Sequence, residues 1–289
     1  VLFRSVFICK PLDAAISPDD SEIWLVSSGN NPVEYSPLNR VAVLNASDGS
    51  FKQNLSLDDP WASVQSVAFT PSGDRALIGD AGTWASWLHV FSTQEKRQLS
   101  SIWLPAPSTA IAVTPDGNEA YVLSNKNLEV YVVDLVHNWL LAVLPIASRP
   151  EGARGIAASP DGSSIYVAVN APGSSPDRLV RLDAKTWEIT NYALPTGVTQ
   201  IAAWPVVSGS GDTVYVLPEK GSRAFSFNVA TSSIKKIDGL QLANGGAPLP
   251  NQAPTARLRA TVDGMTVKAN SSGSYDIDGQ ISHYKFDYG

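Results

Sequence analysis

A short apolar segment that runs into a proline turn recurs five times along this chain, and no other feature limits its fold as much. The first copy reads Ala14-Ala15-Ile16-Ser17-Pro18-Asp19-Asp20. The second is Ser66-Val67-Ala68-Phe69-Thr70-Pro71-Ser72-Gly73 and the third Ala110-Ile111-Ala112-Val113-Thr114-Pro115-Asp116-Gly117. The fourth is Gly155-Ile156-Ala157-Ala158-Ser159-Pro160-Asp161-Gly162. The fifth is degenerate, Gln200-Ile201-Ala202-Ala203-Trp204-Pro205, with Gly211-Asp212 following a short insertion. The marker prolines 18, 71, 115, 160 and 205 stand 53, 44, 45 and 45 residues apart.

Each unit has one internal grammar. Proline sets φ at the first turn position, and Gly or Asp accepts the conformations other residues avoid. A second strand follows, as in Ala120-Tyr121-Val122-Leu123 and Ile165-Tyr166-Val167-Ala168. A variable loop leads to a third, as in Val130-Tyr131-Val132-Val133 and Leu179-Val180-Arg181-Leu182. A fourth, more polar strand is expected to close the unit, because it is the outermost. A sheet of this kind has two apolar faces and cannot bury them alone, so the repeats must stack. The period and the grammar predict an all-β chain, a partial β-propeller of five four-stranded blades. The expected blades are 13–60, 61–107, 108–150, 151–197 and 198–240. Val6-Phe7-Ile8-Cys9 reads as the outer strand of a preceding blade.

The units resemble YVTN-type propeller repeats, in which a small-apolar strand, Ser-Pro-Asp-Gly, Tyr-Val, a loop and Val-x-Val-x-Asp follow in order. Residues 110–146 and 155–194 carry the likeness best, with Tyr121-Val122-Leu123-Ser124-Asn125, Tyr166-Val167-Ala168-Val169-Asn170 and the run Arg149-Pro150-Glu151-Gly152. The likeness spans roughly 14–240; the first unit departs from it with a long loop at 29–39, and the fifth with its interrupted turn. It implies a parent propeller of seven blades, and a five-blade piece is expected to aggregate or to stay an open arc. The rival repeats fit less well. No Trp-Asp dipeptide occurs, and Asp80-Ala81-Gly82-Thr83-Trp84, which resembles a sialidase Asp box, is one residue short and stands alone.

The two ends of the chain read differently from its middle. Val1-Leu2-Phe3-Arg4-Ser5 is what a common sequencing adapter encodes in translation, so residues 1–5 are expected to be an assembly scar. Residues 241–254 have linker composition. From Asn251-Gln252-Ala253-Pro254-Thr255-Ala256 onward the pattern changes, through Ser274-Tyr275-Asp276-Ile277-Asp278-Gly279 to Tyr284-Lys285-Phe286-Asp287-Tyr288-Gly289. This is similar to the start of a PKD domain (polycystic kidney disease type, an immunoglobulin-like sandwich), so 255–289 is expected to be a truncated sandwich stub. The resemblance implies a secreted, periplasmic or cell-surface protein. It also makes Asp276 and Asp278 candidate calcium ligands, the alternative being an Asp-stabilised turn.

Composition excludes several classes. A net charge of −6 with scattered basic residues leaves no footprint for nucleic acid. No apolar run or basic amphipathic stretch suits membrane insertion. The single cysteine, Cys9, forms neither an internal disulfide nor a metal motif. His89, His137 and His283 sit in three different units without metal-ligand spacing, and His89 reads as a core histidine. No hydrolase, metalloprotease, phosphate-loop or haem motif occurs, so no residue is assigned a catalytic role and no cofactor is expected beyond the calcium of the stub.

Eight tryptophans remain to be explained. Trp24, Trp103 and Trp187 are expected to fill gaps between blades. Trp61, Trp84 and Trp87, with Tyr35, Arg154, Asn170 and Arg178, are expected in the loops that gather at one face of the propeller. Exposed aromatics beside a few polar groups suit a protein or glycan ligand. The expected function is therefore a non-catalytic binding or adhesion module. The alternatives are a propeller enzyme, such as a lactonase or a redox-enzyme scaffold, and a structural spacer.

Overall fold

The computed structural model describes residues 11–27, 41–59, 62–81, 85–171, 175–195, 202–218, 223–238, 259–263 and 266–270. The chain divides into two units, residues 1–245 and 246–289.

In the first unit, twenty strands form five antiparallel meanders of four. The first blade holds β1 (Pro11–Ile16), β2 (Glu22–Ser27), β3 (Val41–Asn45) and β4 (Phe51–Leu55). The second holds β5 (Val64–Phe69), β6 (Arg75–Asp80), β7 (Ser86–Ser92) and β8 (Arg97–Leu104). The third holds β9 (Ala110–Val113), β10 (Glu119–Ser124), β11 (Glu129–Asp134) and β12 (Trp139–Pro145). The fourth holds β13 (Gly152–Ala158), β14 (Ser164–Asn170), β15 (Arg178–Asp183) and β16 (Ile189–Ala193). The fifth holds β17 (Ala202–Val207), β18 (Thr213–Pro218), β19 (Arg223–Asn228) and β20 (Ser233–Asp238). The first strands of successive blades touch one another, which makes them the innermost strands of a β-propeller.

Burial follows from the stacking. Central strands such as β10 and β14 are buried on both faces, so their sequences run nearly continuously apolar. Trp24, Val43 and Leu55 of the first blade pack on Val67, Ile78 and Phe91 of the second. The other faces of β6, β7 and β8, with Leu77, Leu88 and Ile102, pack on Val122 and Val133 of the third. Tyr121 and Val132 meet Val167 and Val180 of the fourth, and Tyr166 and Leu179 meet Val216 and Phe227 of the fifth. Polar ties cross the same interfaces: the Lys96 ammonium pairs with the Glu22 carboxylate, Arg75 Nη1 donates to Leu135 O at 2.7 Å, and Tyr121 Oη donates to Ala184 O at 3.2 Å.

The first turn of every blade has one wiring scheme. Its leading Ser or Thr N–H donates to the carbonyl five residues on, in Ser17, Thr70, Thr114, Ser159 and Ser208, at 2.8–3.0 Å. Its hydroxyl accepts the N–H of that same residue, at 2.9–3.2 Å. Four residues close the turn in the left-handed region, Gly73, Gly117, Gly162 and Gly211, with φ between 71° and 77°; Asp20 does so in the first blade with φ 57°. A Cβ added at these glycines would lie 3.3–3.7 Å from Pro18, Pro71, Pro115 and Pro160 respectively, each in the preceding blade. The proline of one turn thus seats against the glycine of the next.

The fifth turn lies elsewhere than its marker proline predicts. Pro205 is inside β17, paired with Val216, and the turn is Ser208-Gly209-Ser210-Gly211. Proline is tolerated there because an innermost strand is a sheet edge, with one side free of ladder hydrogen bonds. The expected polar fourth strand also fails in the third blade, where Trp139, Leu141 and Val143 of β12 are exposed. A position on the outer edge is not covered by the neighbouring blade, so apolar side chains there stay in solvent.

The turn between third and fourth strands explains the Asp that ends the repeat pattern. Asp134 Oδ1 accepts the N–H groups of Val136 and His137, and Asp183 Oδ1 those of Lys185 and Thr186. Asn45 and Asn228 serve the same purpose in their blades. These are Asx turns. The next residue of each turn ties it to the first turn of its own blade, as in Leu135 N–H to Asn118 O at 2.8 Å and Ala184 N–H to Ser163 O at 3.0 Å.

The second unit contains an antiparallel hairpin of β21 (Arg259–Asp263) and β22 (Thr266–Asn270), in register Val262 opposite Val267.

Candidate functional site

The meander order sends the two ends of the blades to different purposes. One end carries the short wired turns. The other carries the connections from second to third strand and from blade to blade, the end at which the sequence-predicted loop residues are expected.

Four of those residues are described. Asn170 is the last residue of β14, Arg178 the first of β15, and Arg154 lies in β13 beside the register shift between Ala153 and Ile156. Trp87 lies within strand β7, not in the loop expected for it, and is half-buried opposite Trp103. Tyr35, Trp61 and Trp84, and the proposed calcium ligands Asp276 and Asp278, lie outside the described residues.

At the third and fourth blades the loop end is densely polar. The Arg178 guanidinium holds the Glu151 carboxylate with two nitrogens, Nη2 at 3.0 Å from Oε2. Its Nε donates to Asn191 Oδ1 at 2.9 Å. That pairing keeps the Glu151 carboxyl below the usual carboxylate range. Arg149 Nη2 donates to Asn125 O at 2.6 Å and to Lys126 O at 3.0 Å. Asn125 Oδ1 in turn accepts the Ala153 N–H at 3.0 Å, joining the two blades. Gly152 sits under this cluster: a Cβ there would lie 2.6 Å from Asn170 Oδ1, so only glycine lets the carboxamide approach. Arg154 is exposed two residues further along the same strand. The structure therefore brings Asn170 and Arg178 together around Gly152 and Glu151, while Trp87 belongs to a different blade.

A second polar arrangement lies in blade 2 and was not legible beforehand. Asp80 and His89 are 0% and 1% exposed, with Asp80 Oδ2 and His89 Nε2 3.7 Å apart. Asp80 Oδ1 accepts the Ser63 N–H at 2.6 Å. His89 Nδ1 and Ser101 Oγ are 2.9 Å apart, and Gln98 Nε2 donates to the same hydroxyl at 2.8 Å. The expectation of a core histidine holds, while its neighbours carry no motif for this role: Asp80 stands in the sequence only as the head of an Asp-box likeness, and Gln98 and Ser101 in none. Their only sequence signal is the alternation Trp87-x-His89 opposite Ser101-x-Trp103, which puts His89 and Ser101 on one face once the register is known. Trp103 is 53% exposed, so it does not fill a gap between blades as expected, whereas Trp24 is fully buried.

At the turn end, a cavity of about 870 Å³ opens between the third and fourth blades, lined by Asp116, Asp161 and Asp183 among others. These carboxylates are engaged in their own turns. The Thr114 hydroxyl lowers Asp116, the Ser159 hydroxyl lowers Asp161, and the backbone N–H groups of Thr186 and Lys185 lower Asp183 below the ordinary range. Among the described residues no group of three or more His, Cys, Asp or Glu is placed to hold a metal ion. No helix among them is long and apolar enough to cross a membrane.

No protein-family model matches the chain, and no curated protein matches it. Solved structures do. Hydrazine synthase of Kuenenia stuttgartiensis is similar at 16% identity and TM-score 0.66, over 84% of this chain and 70% of that one. The Cps50 (Swd1) β-propeller domain of Myceliophteria thermophila is similar at 13% identity and TM-score 0.58, over 76% of this chain and 65% of that one. A functionally unknown protein of Desulfotomaculum acetoxidans is similar at 20% identity and TM-score 0.61, over 86% of this chain and 76% of that one. One of these neighbours is named as an enzyme and another as a propeller domain, so the likeness extends to architecture and not to activity. With five stacked four-stranded sheets on one side and these neighbours on the other, the chain has a β-propeller fold.

Proposed function

We propose that this chain is a binding module of a secreted or cell-surface protein, taking a protein or glycan ligand at the loop end of its third and fourth blades. The observation that carries the reading is the cluster around Gly152. Asn125 is held by the Ala153 N–H, Glu151 and Arg178 by each other, and Asn170 stands at the end of β14 against Gly152, with the exposed Arg154 alongside. Rigidly held amides and a guanidinium offer directed donors and acceptors to sugar hydroxyls or to a peptide backbone. The resemblance to YVTN-type repeats and to a PKD-type domain from residue 255 onward supports a surface location. The proposed layout is a propeller to residue 240, a linker at 241–254 and a PKD-like stub beyond, with calcium at Asp276 and Asp278.

The test is binding of the full chain to arrays of glycans and cell-surface proteins, with Arg154→Ala in parallel. Selective binding that weakens at least several-fold in the variant supports the reading. Binding unaffected by Arg154→Ala, or none on either array, counts against it.

A further inference from the structure

Among the described Asp, Glu, His, Lys and Arg side chains, only Asp80 and His89 are fully buried. Burying them is costly, and Asp80 Oδ2 and His89 Nε2 have no hydrogen-bond partner among the described residues. An apolar pair would hold the interface between the first two blades more stably. The surrounding atoms give the pair a direction. With Asp80 Oδ1 taken by the Ser63 N–H, Oδ2 faces His89 Nε2. A carboxylate only accepts, so the proton of the neutral imidazole belongs on Nε2 and Nδ1 is an acceptor. Ser101 Oγ, 2.9 Å from Nδ1, is then the donor.

The fourth member is Gln98. Its Oε1 accepts the Asp58 N–H at 3.2 Å, which turns the amide so that Nε2 donates to Ser101 Oγ at 2.8 Å. Ser101 itself is exposed on the outermost strand, between Leu99 and Trp103, which are 45% and 53% exposed. Asp80, His89, Ser101 and Gln98 are thus an acid, a base, a hydroxyl and an amide donor in one line, with Asp80 and His89 buried, Gln98 half-buried and Ser101 exposed. The 3.7 Å between Asp80 and His89 exceeds a hydrogen bond, as such contacts often do before substrate binds.

We propose that Ser101 is a nucleophile for esters with apolar acyl groups, with His89 as its general base, Gln98 as the donor to the carbonyl oxygen and Asp80 as a positioning residue. Ser101 Oγ adds to the ester carbonyl carbon while its proton passes to His89 Nδ1. The carbonyl π electrons move to oxygen, where the Gln98 amide N–H meets them. Collapse breaks the bond to the leaving alcohol, which takes the proton from His89. Water then repeats the sequence, releasing the carboxylic acid and restoring Ser101. Leu99 and Trp103 provide the apolar surface beside the acyl chain. This chemistry lies on the outer edge of the second blade and is independent of ligand binding at the loop end.

The test treats the full chain with a fluorophosphonate probe and with p-nitrophenyl butyrate, and locates the adduct by peptide mass spectrometry. The expected result is one adduct, on Ser101, together with ester turnover. Ser101→Ala removes both while the chain still melts cooperatively, at a lowered temperature because the buried His89 Nδ1 loses its donor. Gln98→Ala still labels but turns over about 100-fold more slowly, the scale of a lost oxyanion donor. Asp80→Glu recovers part of the rate lost in Asp80→Asn, which a packing role alone would not produce. No adduct at Ser101 on the native chain, equal labelling of the denatured chain, or hydrolysis persisting in Ser101→Ala overturns the proposal.

Discussion

Pro115 of the third blade seats against Gly162 of the fourth: a Cβ at Gly162 would lie 3.3 Å from Pro115 Cδ. The same contact recurs from Pro18 to Gly73, Pro71 to Gly117 and Pro160 to Gly211, so the turn that ends each inner strand also registers one blade against the next. Glycine is required twice over at position 162, by φ of 71° and by the neighbouring ring.

Gly162→Ala is expected to destabilise the protein by about 1–2 kcal/mol, from the left-handed backbone alone, with the proline contact adding to it. Asp20→Gly, at the equivalent position of the first blade, is expected to change stability by less than about 0.5 kcal/mol. Chemical denaturation of both variants checks the contrast.

Trp24 joins the first two blades. It is fully buried, edge-on to Phe69 at 5.4 Å and to Phe91 at 6.2 Å, with Lys96 Nζ 5.3 Å from its ring. Trp24→Ala is expected to cost about 3–5 kcal/mol and Trp24→Phe clearly less, measured as shifts in the urea midpoint.

Arg178 should not be replaceable by lysine. Its fork holds Glu151 with two nitrogens while Nε reaches Asn191, a geometry that a single ammonium does not reproduce. Arg178→Lys is expected to lose about 1.5–3 kcal/mol, nearly as much as Arg178→Ala. Thermal melts of the two variants within a few degrees of each other would bear this out.

Acid should weaken the turn end in a defined window. The Ser17 hydroxyl, with Ser21, holds Asp19 down to about 2, and Asp116 and Asp161 are lowered by Thr114 and Ser159. Carboxyls whose folded pKa lies below the unfolded value stabilise the fold above that unfolded value, near 4, and cease to do so as pH falls through the folded value. Asp13 works in the opposite sense, because burial raises its pKa. The melting temperature is expected to fall between about pH 4 and pH 2, and a Ser17→Ala variant to show a shallower fall.

What could be read from the sequence was what is local. Ser159, Pro160, Asp161 and Gly162 build their turn from their own hydroxyl, carboxylate and φ, so the repeat is legible wherever those residues stand in order. Where the local signal misleads, the register slips. Pro205 resembles the marker but sits in a strand, and Ser208, which lacks the following proline, heads the turn. Trp87 and Trp103 were misplaced for a related reason, since burial of a strand residue depends on how far the neighbouring blade extends. The line from Asp80 to Ser101 depends on pairing of β6, β7 and β8, and no spacing along the chain announces it.

The central claim is that ligand is taken at the loop end. Hydrogen–deuterium exchange of the full chain, with and without the strongest ligand from the arrays, tests it directly. The account predicts slowed exchange around Asn125, at 149–154 and at 175–179. Slowing confined to the turn end, at 115–118, 161–163 and 184–186, would contradict it.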